Sequence, residues 1–110
     1  MIRKMEKARD EGLLVEFYGG ECPHCAAMKP LVERLEKELG IKVEKYEVWH
    51  NSANAQRMEQ LAELFEEACG TIGVPAFYNA KTGEAFCGET DYEKLRDWAL
   101  GKREMPSGVT

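Results

Sequence analysis

Residues 13–25 read LLVEFYGGECPHC, which is an apolar run, a glycine pair and two cysteines separated by two residues. Short apolar runs that end in glycine are typical of buried strands. The residues that follow carry apolar side chains at helical spacing up to Gly40, a residue type at which helices commonly end. We therefore predict a strand over 13–18, a glycine loop, and a helix over about 23–39 that begins at the cysteine pair.

The rest of the chain predicts the order α-β-α-β-α-β-β-α. This is an α/β sandwich in which helices flank a central four-stranded mixed sheet, with the first two strands parallel and the last two in an antiparallel hairpin. The further elements are a short helix over 2–11, a strand over 41–49, a helix capped by Asn51 or Ser52 that extends to Cys69, a strand over 76–78, a turn over 81–84, a strand over 85–87, and a helix that starts in a capping box over 90–93.

Length and composition predict one globular domain. The 110 residues suffice for one core, which we expect over 1–100, and the polar residues 101–110 predict a flexible tail. The net charge of −5 argues against nucleic acid or an anionic membrane as a partner. No apolar run is long enough for a membrane span, and residues 1–11 lack the apolar core of a secretory signal. We therefore expect a cytoplasmic protein, and we expect it to be a monomer.

The cysteine pair predicts redox chemistry. Cys22 is placed at a helix N-terminus, where unpaired N–H groups and the helix dipole favour a thiolate. Pro23 fixes the first turn without losing a needed hydrogen bond. His24 can donate a hydrogen bond to the Cys22 sulfur or place positive charge beside it, and a solvated loop histidine is the alternative. Cys22 is the candidate nucleophile, and Cys25 is the candidate thiol that resolves the mixed disulfide.

Over residues 2–100 the chain resembles the thioredoxin superfamily, and the resemblance extends beyond the cysteines. Glu16 falls where the family carries a buried acid beneath the active site, and Lys45 falls where it carries that acid's lysine partner. Because Glu16 lies on an otherwise apolar strand, burial should raise its pKa, and the resemblance implies proton transfer with Cys25. The alternatives are an ion pair with Lys45 or a Glu16 side chain that reaches solvent. Pro30 matches the family's helix-kinking proline.

Three further residues match the substrate groove of that superfamily, and a fourth lies beside it. Val74-Pro75 matches the residue and cis-proline that face the dithiol, so the Val74 backbone would be free to pair with an extended substrate. Gly88 matches the glycine at the end of the last strand, which lines the groove. Tyr18 flanks the cysteine loop and is a candidate substrate contact. An ordinary turn proline, and a tyrosine of the core or rim, are the alternatives.

The dipeptide between the cysteines departs from the thioredoxin pattern. Glu21 replaces the usual tryptophan, and Pro23-His24 replaces Gly-Pro. Cys-Pro-His-Cys is the active-site sequence of DsbA-type disulfide oxidases, although the helical domain that those proteins insert is missing here. The resemblance implies a minimal thioredoxin-like thiol-disulfide oxidoreductase that reduces, forms or exchanges disulfides in cell redox homeostasis. It implies no cofactor, disulfide-containing proteins or small thiols as substrates, and a reductase or glutathione as the electron source.

The other two cysteines leave alternatives open. We expect Cys69 and Cys87 to be buried thiols that act as small hydrophobic residues, and a second redox pair or disulfide is the alternative. All four cysteines together are the basis of a rival interpretation, a zinc or Fe–S protein, although a second Cys-x-x-Cys is missing. A glutaredoxin-like, glutathione-dependent reductase is a further alternative, although no glutathione-binding set is recognisable.

Overall fold

The structure is a computed structural model that describes residues 13–101. The predicted helix over 2–11 and residues 102–110 of the predicted tail lie outside this part of the chain. No helix within 13–101 combines the length and the apolar character needed to cross a lipid bilayer. The strands are β1 (Leu14–Tyr18), β2 (Glu44–Glu47), β3 (Ala76–Asn79) and β4 (Glu84–Cys87), and the helices are α1 (Pro23–Leu39), α2 (Ser52–Glu59), α3 (Ala62–Cys69) and α4 (Tyr92–Leu100).

The four strands form one mixed sheet in the order β2-β1-β3-β4. β1 and β2 are parallel and are joined through α1, which is the crossover that parallel neighbours require. β3 is antiparallel to β1 and to β4, and the β3–β4 hairpin places β4 at one edge. The predicted sandwich with a four-stranded mixed sheet is confirmed. The strand register sets Glu16 between Lys45 on β2 and Phe77 on β3.

Helices cover both faces of the sheet. Leu14 of β1 packs in a cluster with residues of α1 and α4, whereas Val15 packs in a second cluster with residues of α2 and α3. Because side chains alternate along a strand, Glu16 lies on the same face as Leu14, the face covered by the helix that carries the cysteines. The first cluster comprises Leu14, Met28, Val32, Leu35, Val43, Phe77, Leu95 and Trp98, and the second Val15, Phe17, Met58, Phe65 and Ala76.

The single helix predicted after Asn51 is two helices, α2 and α3. Asn51 is a cap as predicted, because its Oδ1 accepts the N–H of Asn54 at 3.0 Å. Between the helices, the N–H of Leu61 donates to the Met58 carbonyl at 2.9 Å, which is a tighter bond than that of an α-helix. The apolar stripe continues across this break, since Met58 and Phe65 are both buried. Periodicity alone therefore predicts an unbroken helix.

Two other boundaries differ from the prediction. β2 has only four residues, and just before it the Glu36 carboxylate accepts the N–H of Val43 at 2.9 Å. α4 is capped by Asp91, whose Oδ1 accepts the N–H of Lys94 at 2.8 Å, so the cap lies one residue later than predicted. In both places a carboxylate oxygen accepts a hydrogen bond from a backbone N–H, and the sequence pattern does not specify that bond.

Candidate active site

The two cysteines of the opening motif form a disulfide at the N-terminus of α1. Cys22 is the N-cap residue with an extended backbone, and Pro23 is the first residue of the helix. The Cys22 sulfur accepts the N–H of Cys25 at 3.1 Å, in the place where an N-cap oxygen usually accepts. Both cysteines are buried. The predicted position of the pair at a helix N-terminus is confirmed.

A proline loop lies against the disulfide. The carbonyl oxygen of Val74 is 3.9 Å from the Cys22 sulfur, and the Val74–Pro75 peptide bond is cis, as predicted. Gly88 directly follows β4 with a φ of 90°, a conformation that favours glycine, and its N–H donates to the Pro75 carbonyl at 2.7 Å. The structure thus brings the loop, the end of β4 and the cysteine pair together.

A buried acid lies beneath the cysteine pair, on the face covered by α1. Glu16 is only 4% exposed, and burial raises its pKa to about 7, while the nearby charge of Lys45 lowers it and that of Glu36 raises it. A carboxyl group in this range exchanges protons readily at neutral pH. Glu16 shares a pocket of about 350 Å³ with Tyr18, Cys22, Cys25, Lys29 and Lys45.

Lys45, the predicted partner of Glu16, forms its salt bridge with Glu36. Lys45 is the strand neighbour of Glu16, but its Nζ donates to Glu36 Oε2 at 2.7 Å and to the Val43 carbonyl at 3.1 Å. Within 13–101 the salt bridge of Lys45 is therefore with Glu36, while Lys45 acts on Glu16 as a nearby positive charge that lowers its pKa. Glu36 could not be predicted as a site residue, because nothing in its helical position separates it from the exposed Glu33.

Two exposed histidine–glutamate pairs lie beside the cysteine motif. His24 Nδ1 is 2.9 Å from Glu89 Oε1, and His50 Nε2 is 2.8 Å from Glu21 Oε1. Within the described residues His24 makes no hydrogen bond to the Cys22 sulfur, which differs from the prediction, and its Nδ1 is paired with Glu89. The hydrogen bond with Glu21 is the largest of the effects that raise the pKa of His50.

The glycine loop is organised by Glu47, a residue that the sequence did not single out. Its carboxylate accepts the N–H groups of Gly20 at 2.8 Å, Trp49 at 3.1 Å and His50 at 2.8 Å. Desolvation raises the pKa of Glu47, but these hydrogen bonds together bring it below its ordinary value. The half-exposed Trp49 ring lies so close to Gly19 that a Cβ there would overlap it. A larger residue at position 19 would therefore have to displace the Trp49 ring.

Cys69 and Cys87 form a second disulfide, with their Cα atoms 5.9 Å apart. The expectation of two buried thiols is therefore wrong. The bond forms because α3, which ends at Cys69, packs against β4, which ends at Cys87. All four cysteines are thus paired, and the part of the chain that the structure describes contains no group of three or more His, Cys, Asp or Glu side chains suited to a metal ion.

Comparison with known proteins agrees with this architecture. The sequence matches the family model described as Thioredoxin over residues 3–99. No match was found among the curated proteins. The chain is similar to a mutant thioredoxin from Halobacterium salinarum NRC-1, with 24% identity over 96% of this chain and 88% of that chain and a TM-score of 0.63. It is also similar to the thioredoxin of Fasciola hepatica, with 22% identity over 92% of this chain and 91% of that chain and a TM-score of 0.60.

Proposed function

Because this chain belongs to the thioredoxin family and is a thiol-disulfide oxidoreductase with a Cys22–Cys25 redox pair, we propose that Cys22 is the attacking thiol and Cys25 the resolving thiol. The cap of α1 supports this division of roles. The Cys22 sulfur accepts the N–H of Cys25 at the positive end of the helix, and such an arrangement stabilises a thiolate.

The exchange then runs in two steps. The Cys22 thiolate attacks one sulfur of the substrate disulfide, the substrate S–S bond breaks, and its other sulfur leaves as a thiolate that takes up a proton. The Cys25 sulfur, after losing its proton, attacks Cys22, so that the mixed disulfide breaks and the second substrate thiol is released. The substrate gains two electrons and two protons, and the chain is left with its Cys22–Cys25 disulfide. Transfer in the opposite direction follows the same steps in reverse.

Glu16 is proposed as the group that takes the proton of Cys25 in the second step. It shares the pocket of the cysteine pair, and its pKa of about 7 suits proton transfer at neutral pH. The positive charge of Lys45 acts on Glu16 from nearby, while the Lys45 ammonium group donates a hydrogen bond to Glu36. Val74, Tyr18 and Gly88 are proposed as the rim that contacts substrate.

Glu36→Gln should lower the pKa of Glu16. The substitution removes a negative charge that raises this pKa and releases Lys45, whose charge lowers it. The amide oxygen of Gln can still accept the N–H of Val43. We expect an NMR titration of the Glu16 carboxyl in the variant to show a midpoint below the value of about 7 in the parent chain.

Glu38→Gln is the matched control for this titration. Glu38 lies on the same helix, but its carboxylate accepts from Tyr92 on α4 and from Arg34. The Glu16 midpoint should not move in this variant. An unchanged midpoint in the Glu36 variant would show that Glu36 does not set the ionisation of Glu16.

We propose that the pair is more oxidising than that of thioredoxin, as its DsbA-like Pro23-His24 dipeptide suggests. Stabilisation of the Cys22 thiolate at the helix N-terminus favours the reduced form, and a stabilised reduced form makes a stronger oxidant. Titration against glutathione should give a potential more positive than about −270 mV, the value typical of thioredoxin. Alkylation by iodoacetamide at increasing pH should give a Cys22 pKa below the value of about 8.5 of a free thiol.

The same measurements on a His24 variant separate the contribution of the helix cap from that of His24. His24→Ala keeps the helix cap, so any change in potential in this variant belongs to His24. A thiol pKa near 8.5 would rule out activation by the helix end. A potential at or below that of thioredoxin would assign the protein as a reductant.

The partners proposed for this chemistry are those expected of the family. Disulfide-containing proteins are the substrate class that the family implies. Small thiols as further substrates, a reductase or glutathione as the electron source, and a cytoplasmic, monomeric state stay predictions.

A further inference from the structure

The loop over 70–75, which lies between α3 and β3, is held at both of its ends by Cys87. The loop begins directly after Cys69, which forms a disulfide with Cys87. It ends at Ala76, which is the register partner of Cys87 across the β3–β4 hairpin. One residue of the edge strand therefore anchors both the entry to the loop and its exit.

The loop has few other attachments within the described part of the chain. The N–H of Gly70 donates a hydrogen bond to a carbonyl in the last turn of α3, and the carbonyl of Pro75 accepts the N–H of Gly88. Between these two, residues 71–74 make no backbone–backbone hydrogen bond with another residue of 13–101, and Val74 alone among them packs on the second core cluster, with its carbonyl facing the Cys22 sulfur. Ile72 is one of the exposed large apolar side chains. The disulfide is thus the main constraint on the first half of the loop.

The same loop delivers the Val74 carbonyl to within 3.9 Å of the Cys22 sulfur. A segment that is ordered before binding loses less conformational freedom when a substrate docks on it. The thiolate, in contrast, is stabilised by the N-terminus of α1, and the loop makes no part of that cap. Loop order therefore bears on substrate binding, while the chemical step depends on the helix.

We propose that the Cys69–Cys87 disulfide is a positioning element for substrate binding, which holds the 70–75 loop in place beside Cys22. The inference rests on the proposed function, in which the loop forms part of the substrate rim. Without the disulfide, the substrate itself must order the loop. The concentration needed for half-maximal rate then rises, and the maximal rate changes little.

The test uses the full chain with both disulfides formed and no added reductant, so that Cys69–Cys87 stays oxidised in the parent. A peptide with two cysteine thiols is mixed with the protein, and the peptide passes two electrons and two protons to Cys22–Cys25 as its own disulfide forms. In Cys69→Ala/Cys87→Ala we expect the half-saturating peptide concentration to rise roughly fivefold or more, with the maximal rate within about twofold of the parent. Cys69→Val/Cys87→Val, which retains apolar volume, serves where the alanine pair does not fold.

Asn79→Ala is the matched control for lost stability. Asn79 is buried at the other end of β3, where its amide donates to the Trp98 carbonyl at 2.9 Å. This variant should be destabilised and still bind the peptide as the parent does. An unchanged half-saturating concentration in the disulfide variants, or a fall confined to the maximal rate, would overturn the inference while the proposed function stands. A parent chain that exchanges nothing with the peptide would overturn both.

Discussion

Cys22→Ser should reduce the rate of disulfide exchange to that of the uncatalysed reaction, a loss on the order of a thousandfold or more. The Cys22 sulfur is the one placed at the N-cap of α1 beside the Val74 carbonyl, so no other sulfur can replace it as the attacking group at this site. Reduction of insulin disulfides, followed by turbidity, measures the loss.

Cys25→Ser should stop the reaction at a different point. Attack by Cys22 still occurs, but no thiol is left in the first turn of α1 to resolve the product. We expect a mixed disulfide to accumulate with one substrate per chain, visible by intact mass and removed by reductant. The Cys69→Ala/Cys87→Ala variant is the control, since it retains both active-site thiols. Residual activity in Cys22→Ser, or no trapped species in Cys25→Ser, would contradict the assigned roles.

Glu16→Gln should stabilise the fold at alkaline pH and leave it unchanged at acidic pH. In the parent chain the unfolded form loses the Glu16 proton near pH 4.5, whereas the folded form keeps it until about pH 7. Between these values the unfolded state binds fewer protons, so the free energy of unfolding falls as pH rises and is constant above about pH 7. A shift of this size lowers the free energy of unfolding of the parent chain by about 3 kcal/mol above pH 7. The variant avoids this loss because glutamine carries no charge.

Urea unfolding of the oxidised protein at pH 4 and pH 8 measures this difference. The variant should gain up to about 3 kcal/mol over the parent at pH 8 and close to nothing at pH 4. Glu33→Gln, on the exposed side of α1, is the control and should show no such change with pH. A stability difference that is the same at both pH values would contradict a raised Glu16 pKa in the fold.

The features that were predicted from the sequence are those with a strong local signal. β1 and α1 follow from an apolar run, a stripe at helical spacing and Gly40, which ends the helix in the left-handed conformation. Glu16 stands out because it is a charged residue in an otherwise apolar strand. Pro75 was predicted from the resemblance, and the cis bond before it confirms that prediction.

The features that were not predicted depend on partners distant in sequence. Glu36 and Glu47 resemble any exposed glutamate until the fold brings Lys45 to the first and the N–H of Gly20 to the second. The bond between Cys69 and Cys87 depends on how α3 packs against β4, and no periodicity encodes that contact. Such contacts are set by the tertiary structure and become visible only when the chain is folded.

The two tryptophans lie in different environments, so their intrinsic fluorescence reports on two different parts of the protein. Trp49 is 51% exposed, with its backbone tied to Glu47 and its ring against Gly19 in the loop before the cysteines. Trp98 is 5% exposed and packs edge-on to Phe77 in the core under α4. Intrinsic fluorescence therefore combines a longer-wavelength contribution from Trp49 beside the active-site loop with a shorter-wavelength contribution from Trp98 in the core.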